Sequence, residues 1–283
     1  MPKLTFQRKK QTAHFYTEAL SDKVGIDMML IPGGEFLMGT EEAEIERLCQ
    51  KFAQDYFRRE SPQHKVKVPT FFMARFPITQ AQWKIVANWE SITCPLAPNP
   101  FYFKQPYEAQ DRWNRPVESI TWEEAKEFCH RLSQHTNRIH RLPTEAEWEY
   151  ACRAGTTTPF HFGETLTSEF ANYRATETFA EELPGIYRKQ TTPAGYFQVA
   201  NAFGLYDMHG NIWEWCEDDW HNNYQTKPSI GANAWVDQYH RERKVVRGGS
   251  WLNHPPYCRS AFRRHGDTTR PGEAVGFRVA LTP

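Results

Sequence analysis

NAFGLYDMHGNIWEWCEDDW, residues 201–220, is the stretch on which the reading of this chain turns. Its second half gathers the carboxylates of Glu214, Glu217, Asp218 and Asp219 among tryptophans. On spacing alone these four form either a solvated acidic turn or a set of oxygen ligands for a hard cation. Around them, residues 156–242 show no strong periodicity and are rich in Thr, Asn, Gly, Tyr and Trp, so the region is expected to be mostly loop. So long a loop region inside a compact domain calls for a function, a metal, or both.

Upstream the helix starts are plain. Thr79 with Gln82, Thr121 with Glu124, and Thr144 with Glu147 each match a capping box, in which cap and third residue satisfy each other's amide. The second helix places Trp122, Ala125, Phe128, Cys129 and Leu132 on one face; the third carries Trp148, Tyr150, Ala151 and Cys152 and stops at Gly155. Cys129 and Cys152 thus read as small buried hydrophobes. Residues 24–40 alternate around Pro32-Gly33-Gly34 and predict a β-hairpin, with Thr40 capping a helix that carries Ile45, Leu48, Phe52 and Tyr56. One strand is predicted over 64–72, and others over 243–247 and 276–281. Residues 1–23 read as an opening strand or arm.

The 283 residues suffice for one large domain or two small ones, and no linker argues for two. Lys plus Arg and Asp plus Glu balance at 34 each, which counts against a whole-chain polyanion binder. A mean hydropathy of −0.72, with 19 Pro and 10 Trp, implies irregular backbone pinned by large rings. No apolar run is long enough to span a membrane, and the first residues lack the apolar core of a secretory signal. The six cysteines form no C-x-x-C pair, which counts against zinc. A cytoplasmic location with reduced thiols is expected.

The usual catalytic signatures are missing. Gly33-Gly34 is not followed by Gly-Lys-Ser/Thr, Gly249-Ser250-Trp251 lacks the second glycine of a nucleophile elbow, and no H-E-x-x-H occurs. Residues 243–278 hold Arg243, Lys244, Arg247, Arg259, Arg263, Arg264, Arg270 and Arg278 against only Asp267 and Glu273. A nucleic-acid face is one reading. The favoured one is structural, with several arginines bonding loop carbonyls and the 214–219 acids, because no stacking aromatics interleave with them.

MLIPGGEFLMGT (29–40), RPVESITWEEAKEFCHRL (115–132), RLPTEAEWEYACRAGT (141–156), residues 201–220, KVVRGGSW (244–251) and GFRVA (276–280) occur in this order. Together they resemble the formylglycine-generating-enzyme (sulfatase-modifying factor) type of the C-type lectin fold. The resemblance implies a loop-rich α+β domain over 24–283. The family's catalysts bind copper(I) through two cysteines in a stretch of the form GGSYLCHxSYC; here GGSWLNHPPYC (248–258) keeps Cys258 but has Asn253 for the first cysteine. A soft ion wants two thiolates, so no copper and no oxidase activity are expected. The family's calcium motif transfers onto the side chains of Asp207 and Glu214 and the carbonyls of Gly210 and Ile212, implying a structural Ca²⁺. A second calcium site would begin at Asn172-Tyr173, but its aspartate is not evident near Tyr187-Arg188.

The tail, RGGSWLNHPPYCRSAFRRHGDTTRPGEAVGFRV (247–279), is similar to that of variable proteins of diversity-generating retroelements. Pro255, Cys258, Arg259, Ser260, Ala261 and Arg263 match the framework. The positions such a system rewrites carry Leu252, Asn253, His254, Tyr257, Phe262, Arg264, His265, Gly266, Asp267, Thr269, Gly272, Glu273 and Ala274. The resemblance implies a non-enzymatic binder of a varying ligand, in the first place a protein, with Leu252, Tyr257 and Phe262 as anchors. Membranes and nucleic acid are not expected as partners. The alternatives are a copper oxidase acting on sulfatase cysteines, and a non-diversified interaction module of a signalling or defence system.

Overall fold

The computed structural model describes residues 7, 9–227, 231–237 and 242–283. Of the expected arm, residues 1–6 and 8 lie outside the described residues; the remainder leads into β1 (Phe15–Ala19). The chain continues through β2 (Gly25–Ile31), β3 (Gly34–Met38), α1 (Glu42–Phe52), β4 (His64–Val68) and β5 (Phe71–Ala74). After these come α2 (Gln80–Ala87), α3 (Trp122–Thr136), β6 (His140–Arg141), α4 (Glu145–Arg153) and β7 (Trp213–Asp219). It closes with β8 (Arg243–Arg247), β9 (Arg263–Asp267), β10 (Val275–Gly276) and β11 (Ala280–Leu281). The strands form a five-stranded sheet in the order β1-β2-β5-β11-β6, a four-stranded sheet β10-β7-β8-β9, and the pair β3-β4. Helices and mostly antiparallel strands together make an α+β domain.

All three capping boxes are formed. The threonine oxygens of Thr79, Thr121 and Thr144 accept the amides of Gln82, Glu124 and Glu147 at 3.3, 3.2 and 3.1 Å, and the return bonds are also made. Thr40 does not cap α1. Its hydroxyl goes to Glu60, and Glu41 takes the cap position without a side-chain bond.

The hairpin expected over 24–40 is not one. β2 pairs with β5 and β3 with β4, so Ile31 faces Phe71 while Gly34 faces Val68. The two segments are arms of one antiparallel ribbon that bends from one sheet to another at Pro32-Gly33 opposite Pro69. Pro69 has no N–H to continue a ladder, which splits the strand expected over 64–72. Gly33 passes so close that a Cβ would sit 2.9 Å from the Thr70 nitrogen. The strand expected over 276–281 also divides. β10 runs parallel to β7, whereas β11 lies between β5 and β6.

Two hydrophobic clusters fill the interior. In the larger, Trp83 stacks on Phe128 at 5.7 Å and Phe277 meets Phe128 edge-on at 5.2 Å. Cys129 and Cys152 are buried, as their helical phase implied, and burial pushes both thiols up to about 12. The second cluster surrounds α4, every residue of which is buried. From 156 to 212 no helix or strand forms among the described residues beyond an isolated bridge, Phe160 to Gly163. The expected loop ends early, though: the acidic run 214–219 is the inner strand β7.

Candidate functional site

The C-terminal segment is tied down by buried ion pairs. Arg263 forks onto Glu145 with Nε and Nη2 each 2.8 Å from a carboxylate oxygen. Arg259 forks onto Glu60, and Arg247 bonds Glu149 together with the carbonyls of Ser260, Ala261 and Phe262. These three arginines are at most 2% exposed. Removing one partner of such a pair strands a buried charge, at a cost of about 3–5 kcal/mol. Lys244 pairs with Asp219, and Arg278 with Glu214. Five of the eight tail cations are therefore structural. Their carboxylates come largely from α4 and residue 60, not only from 214–219.

Between these anchors the positions expected to vary divide. Leu252, Arg264, Thr269 and Glu273 are exposed, and His254, Tyr257, His265, Asp267 and Gly272 are partly so. Tyr257 shares a hydroxyl contact with Tyr56, and His254 lies 3.3 Å from Glu177. Four positions are held by the fold. Phe262, expected as an anchor, is 3% exposed and packs against Tyr56, Phe57 and Trp213 at 5.9, 6.0 and 6.1 Å, because its loop turns it under the surface. Ala274 is buried where its carbonyl accepts the Trp213 amide. A Cβ on Gly266 would lie 2.2 Å from the Trp215 ring. Asn253 turns its Oδ1 inward to the amide and hydroxyl of Ser250.

Asn253 is the position at which the sequence resemblance expects the family's first copper cysteine. Cys258 is fully buried, and burial pushes its thiol far above the ordinary range. Cys152 Sγ lies 3.8 Å from His209 Nε2, but this imidazole is already committed: Nδ1 meets the Cys258 carbonyl at 2.7 Å and Nε2 accepts the His161 amide at 3.1 Å.

The acids of 214–219 lie on the buried strand β7, not on a solvated turn, and are largely engaged by the protein's own groups. Glu217 pairs with Lys126 and Asp219 with Lys244, while Asp218 accepts the amides of Glu145 and Trp235. Burial and the neighbouring Glu145 charge push Asp218 up to about 7. Among the described residues no three or more His, Cys, Asp or Glu side chains group to hold a metal.

The calcium donors inferred from the motif mix two side chains with two carbonyls, and they fit unequally. The loop turns through left-handed backbone at Asp207 (φ 58°), Gly210 (φ 87°) and Asn211 (φ 66°). Asp207 Oδ2 accepts the Gly195 amide at 2.7 Å, and desolvation pushes its carboxyl up to about 6, so a cation beside it would favour the charged form. Glu214 is engaged through both oxygens, by Arg278 at 2.7 Å twice and by Trp148 Nε1 at 2.7 Å. The Asp207 carboxylate with the Gly210 and Ile212 carbonyls would hold the ion, and Glu214 would join only while keeping Arg278. At Asn172, Oδ1 is buried without a partner, and nearby in sequence Arg188 donates to the Ser168 carbonyl at 3.0 Å.

Outside the tail, Tyr56, Arg59 and Trp220 also belong to this face. Trp220 packs against His265 at 5.1 Å and Arg59 covers its ring at 5.6 Å. They join the tail only in space, and no local pattern marks them.

A family model described as the sulfatase-modifying factor enzyme 1-like domain matches residues 17–283. The formylglycine-generating enzyme of Mus musculus is 28% identical, over 89% of this chain and 74% of that protein. Serine/threonine-protein kinase pkn1 of Chlamydia caviae is 27% identical over 90% of this chain, which spans 38% of that relative's length. Among solved structures, PvdO from Pseudomonas aeruginosa superposes with a TM-score of 0.73 at 28% identity, covering 98% of this chain and 100% of that one. Treponema denticola variable protein 1 superposes with a TM-score of 0.76 at 23% identity, covering 96% and 100%, a likeness of fold. The match takes in everything from the middle of β1 to the last residue, and the chain accordingly belongs to the sulfatase-modifying factor enzyme 1-like domain family.

Proposed function

We propose that this chain is a non-enzymatic binder, built on the C-type lectin fold of the formylglycine-generating type, whose C-terminal loops are a retroelement-diversified surface for a varying protein ligand. One observation supports the reading: the matched framework positions are all buried, Arg259 and Arg263 among them in ion pairs, while eleven of the thirteen candidate variable positions are exposed or partly exposed. Such a surface can change side chains without touching the ion pairs that hold its backbone. Likeness of fold to a protein named as variable agrees with this. We also propose a structural Ca²⁺ at Asp207, Gly210 and Ile212. A cytoplasmic setting suits six cysteines without a disulfide.

The test is a library in which Leu252, His254, Tyr257, Arg264, Thr269 and Glu273 are randomised together and displayed against a panel of proteins. Most members should melt close to the parent, and distinct members should capture distinct proteins. General loss of folding, or capture that ignores these positions, would refute the reading. In the latter case an interaction module working through other loops takes its place.

A copper oxidase is the second reading, favoured by the similarity to formylglycine-generating enzyme. Asn253, bonded to Ser250, stands against it because an amide oxygen does not replace a thiolate at copper(I). Copper-dependent turnover of a cysteine-containing sulfatase peptide, lost in Cys258→Ser, would establish it.

A further inference from the structure

Most arginines near the C-terminal face are matched to a carboxylate. Arg59 and Arg264 are not: among the described residues neither has an acid within ion-pair distance. Both lie against aromatic faces, Arg264 at 5.8 Å from the Trp213 ring and Arg59 at 5.6 Å from the Trp220 ring. A guanidinium held on a ring keeps its fork of donors in place at little entropic cost. The two charges also feel each other. Besides burial, Arg263 and Arg264 lower the pKa of Arg59; and besides burial, Arg243, Arg59 and Arg264 lower that of His265. Crowded, preorganised cations without an anion are a surface made to receive one.

We infer that this face takes an acidic segment of a protein partner, whose carboxylates pair with Arg59 and Arg264. The inference rests on the recognition-surface reading and supplies the chemistry of the ligand for this particular set of side chains. Arg264 and His265 are rewritable, whereas Arg59 comes from outside the tail. A nucleic acid fits less well. Trp213 is buried, and Trp220 is already covered by Arg59 and Arg263, so neither ring is offered to a base.

The experiment is a fluorescence-anisotropy titration of the full chain at low salt with a short Asp/Glu peptide. An Asn/Gln peptide of equal length and a single-stranded oligonucleotide of equal charge are run beside it. The acidic peptide should bind and the Asn/Gln peptide should not. Arg59→Gln and Arg264→Gln should each weaken binding about tenfold, the size of a charge-assisted hydrogen bond, with melting unchanged. Equal binding of the neutral peptide, binding of the oligonucleotide at least as tight, or indifference to both substitutions would overturn the inference. If display selection yields binders dependent on Leu252 and Tyr257 while the acidic peptide fails, this inference falls and the recognition surface stands. If the peptide binds through the arginines while joint substitution of Leu252, Tyr257, Thr269 and Glu273 affects no selected binder, the recognition surface falls instead.

Discussion

Replacing Phe262 with alanine, beside the same change at Leu252, asks whether the tail divides into frame and surface as the burial pattern has it. Phe262 is 3% exposed and touches the rings of Tyr56, Phe57, Trp213 and Tyr257. Truncating a buried phenylalanine costs about 3–5 kcal/mol through lost transfer energy and the cavity left behind, and aromatic pairing puts this site towards the upper end. For a domain of this size each kcal/mol moves the melting temperature by about 2–4 °C, so a fall of roughly 10 °C is expected. Leu252 is 36% exposed and appears in neither hydrophobic cluster, so its truncation should cost under about 1 kcal/mol. Scanning calorimetry or urea titration of both variants, with far-ultraviolet circular dichroism to confirm folding, reads the difference directly. Equal destabilisation by the two changes, or a Phe262→Ala melting within 2–3 °C of the parent (about 1 kcal/mol), would refute the division.

Gly266→Ala should destabilise by about 1–3 kcal/mol, because the new methyl must displace the Trp215 ring; a neutral result would return Gly266 to the rewritable set. His140 is 2% exposed and its imidazole is held down to about 4 by burial, then by Arg138. The unfolded chain therefore takes a proton near pH 6.5 that the fold resists, although Glu18 lies 3.4 Å from Nε2, and stability present above that pH is lost as pH falls towards 4. His140→Phe should flatten that acid limb in pH-dependent urea melts, and an unchanged slope would contradict the assignment. Calcium should raise the melting temperature of the chelated protein, and Asp207→Ala should abolish the rise while leaving the Arg278–Glu214 pair in place. A response that survives Asp207→Ala would place the ion elsewhere.

What was legible in the sequence was what is decided locally. A capping box needs only a threonine and a residue three positions on, and all three formed as expected. Alternation at 24–40 and 64–72 marked extended backbone correctly but carried no information on partners, so a ribbon bending between sheets at Gly33 and Pro69 looked like a hairpin and a single strand. The 214–219 acids were ambiguous for the same reason, since Lys126 and the Glu145 amide that neutralise or bind them lie far away in sequence. Phe262 was placed outward because an aperiodic loop does not reveal which way a ring turns. Arg59 and Trp220 were missed outright, being joined to the tail only in three dimensions.

Helix α4 offers two carboxylates, Glu145 and Glu149, to Arg263 and Arg247, and sends Trp148 to Glu214. Two of the three buried arginine pairs that restrain the tail loops thus end on a short helix outside residues 247–279, and the third ends on Glu60. Under the proposed diversification, changes at the exposed tail positions would leave the α4 carboxylates untouched, although their partners Arg247 and Arg263 lie within the tail. Tolerance to substitution should accordingly vary within the tail, high at its exposed positions and low at Arg247, Arg259 and Arg263, and the nine buried residues of α4 should be among the least forgiving in the molecule.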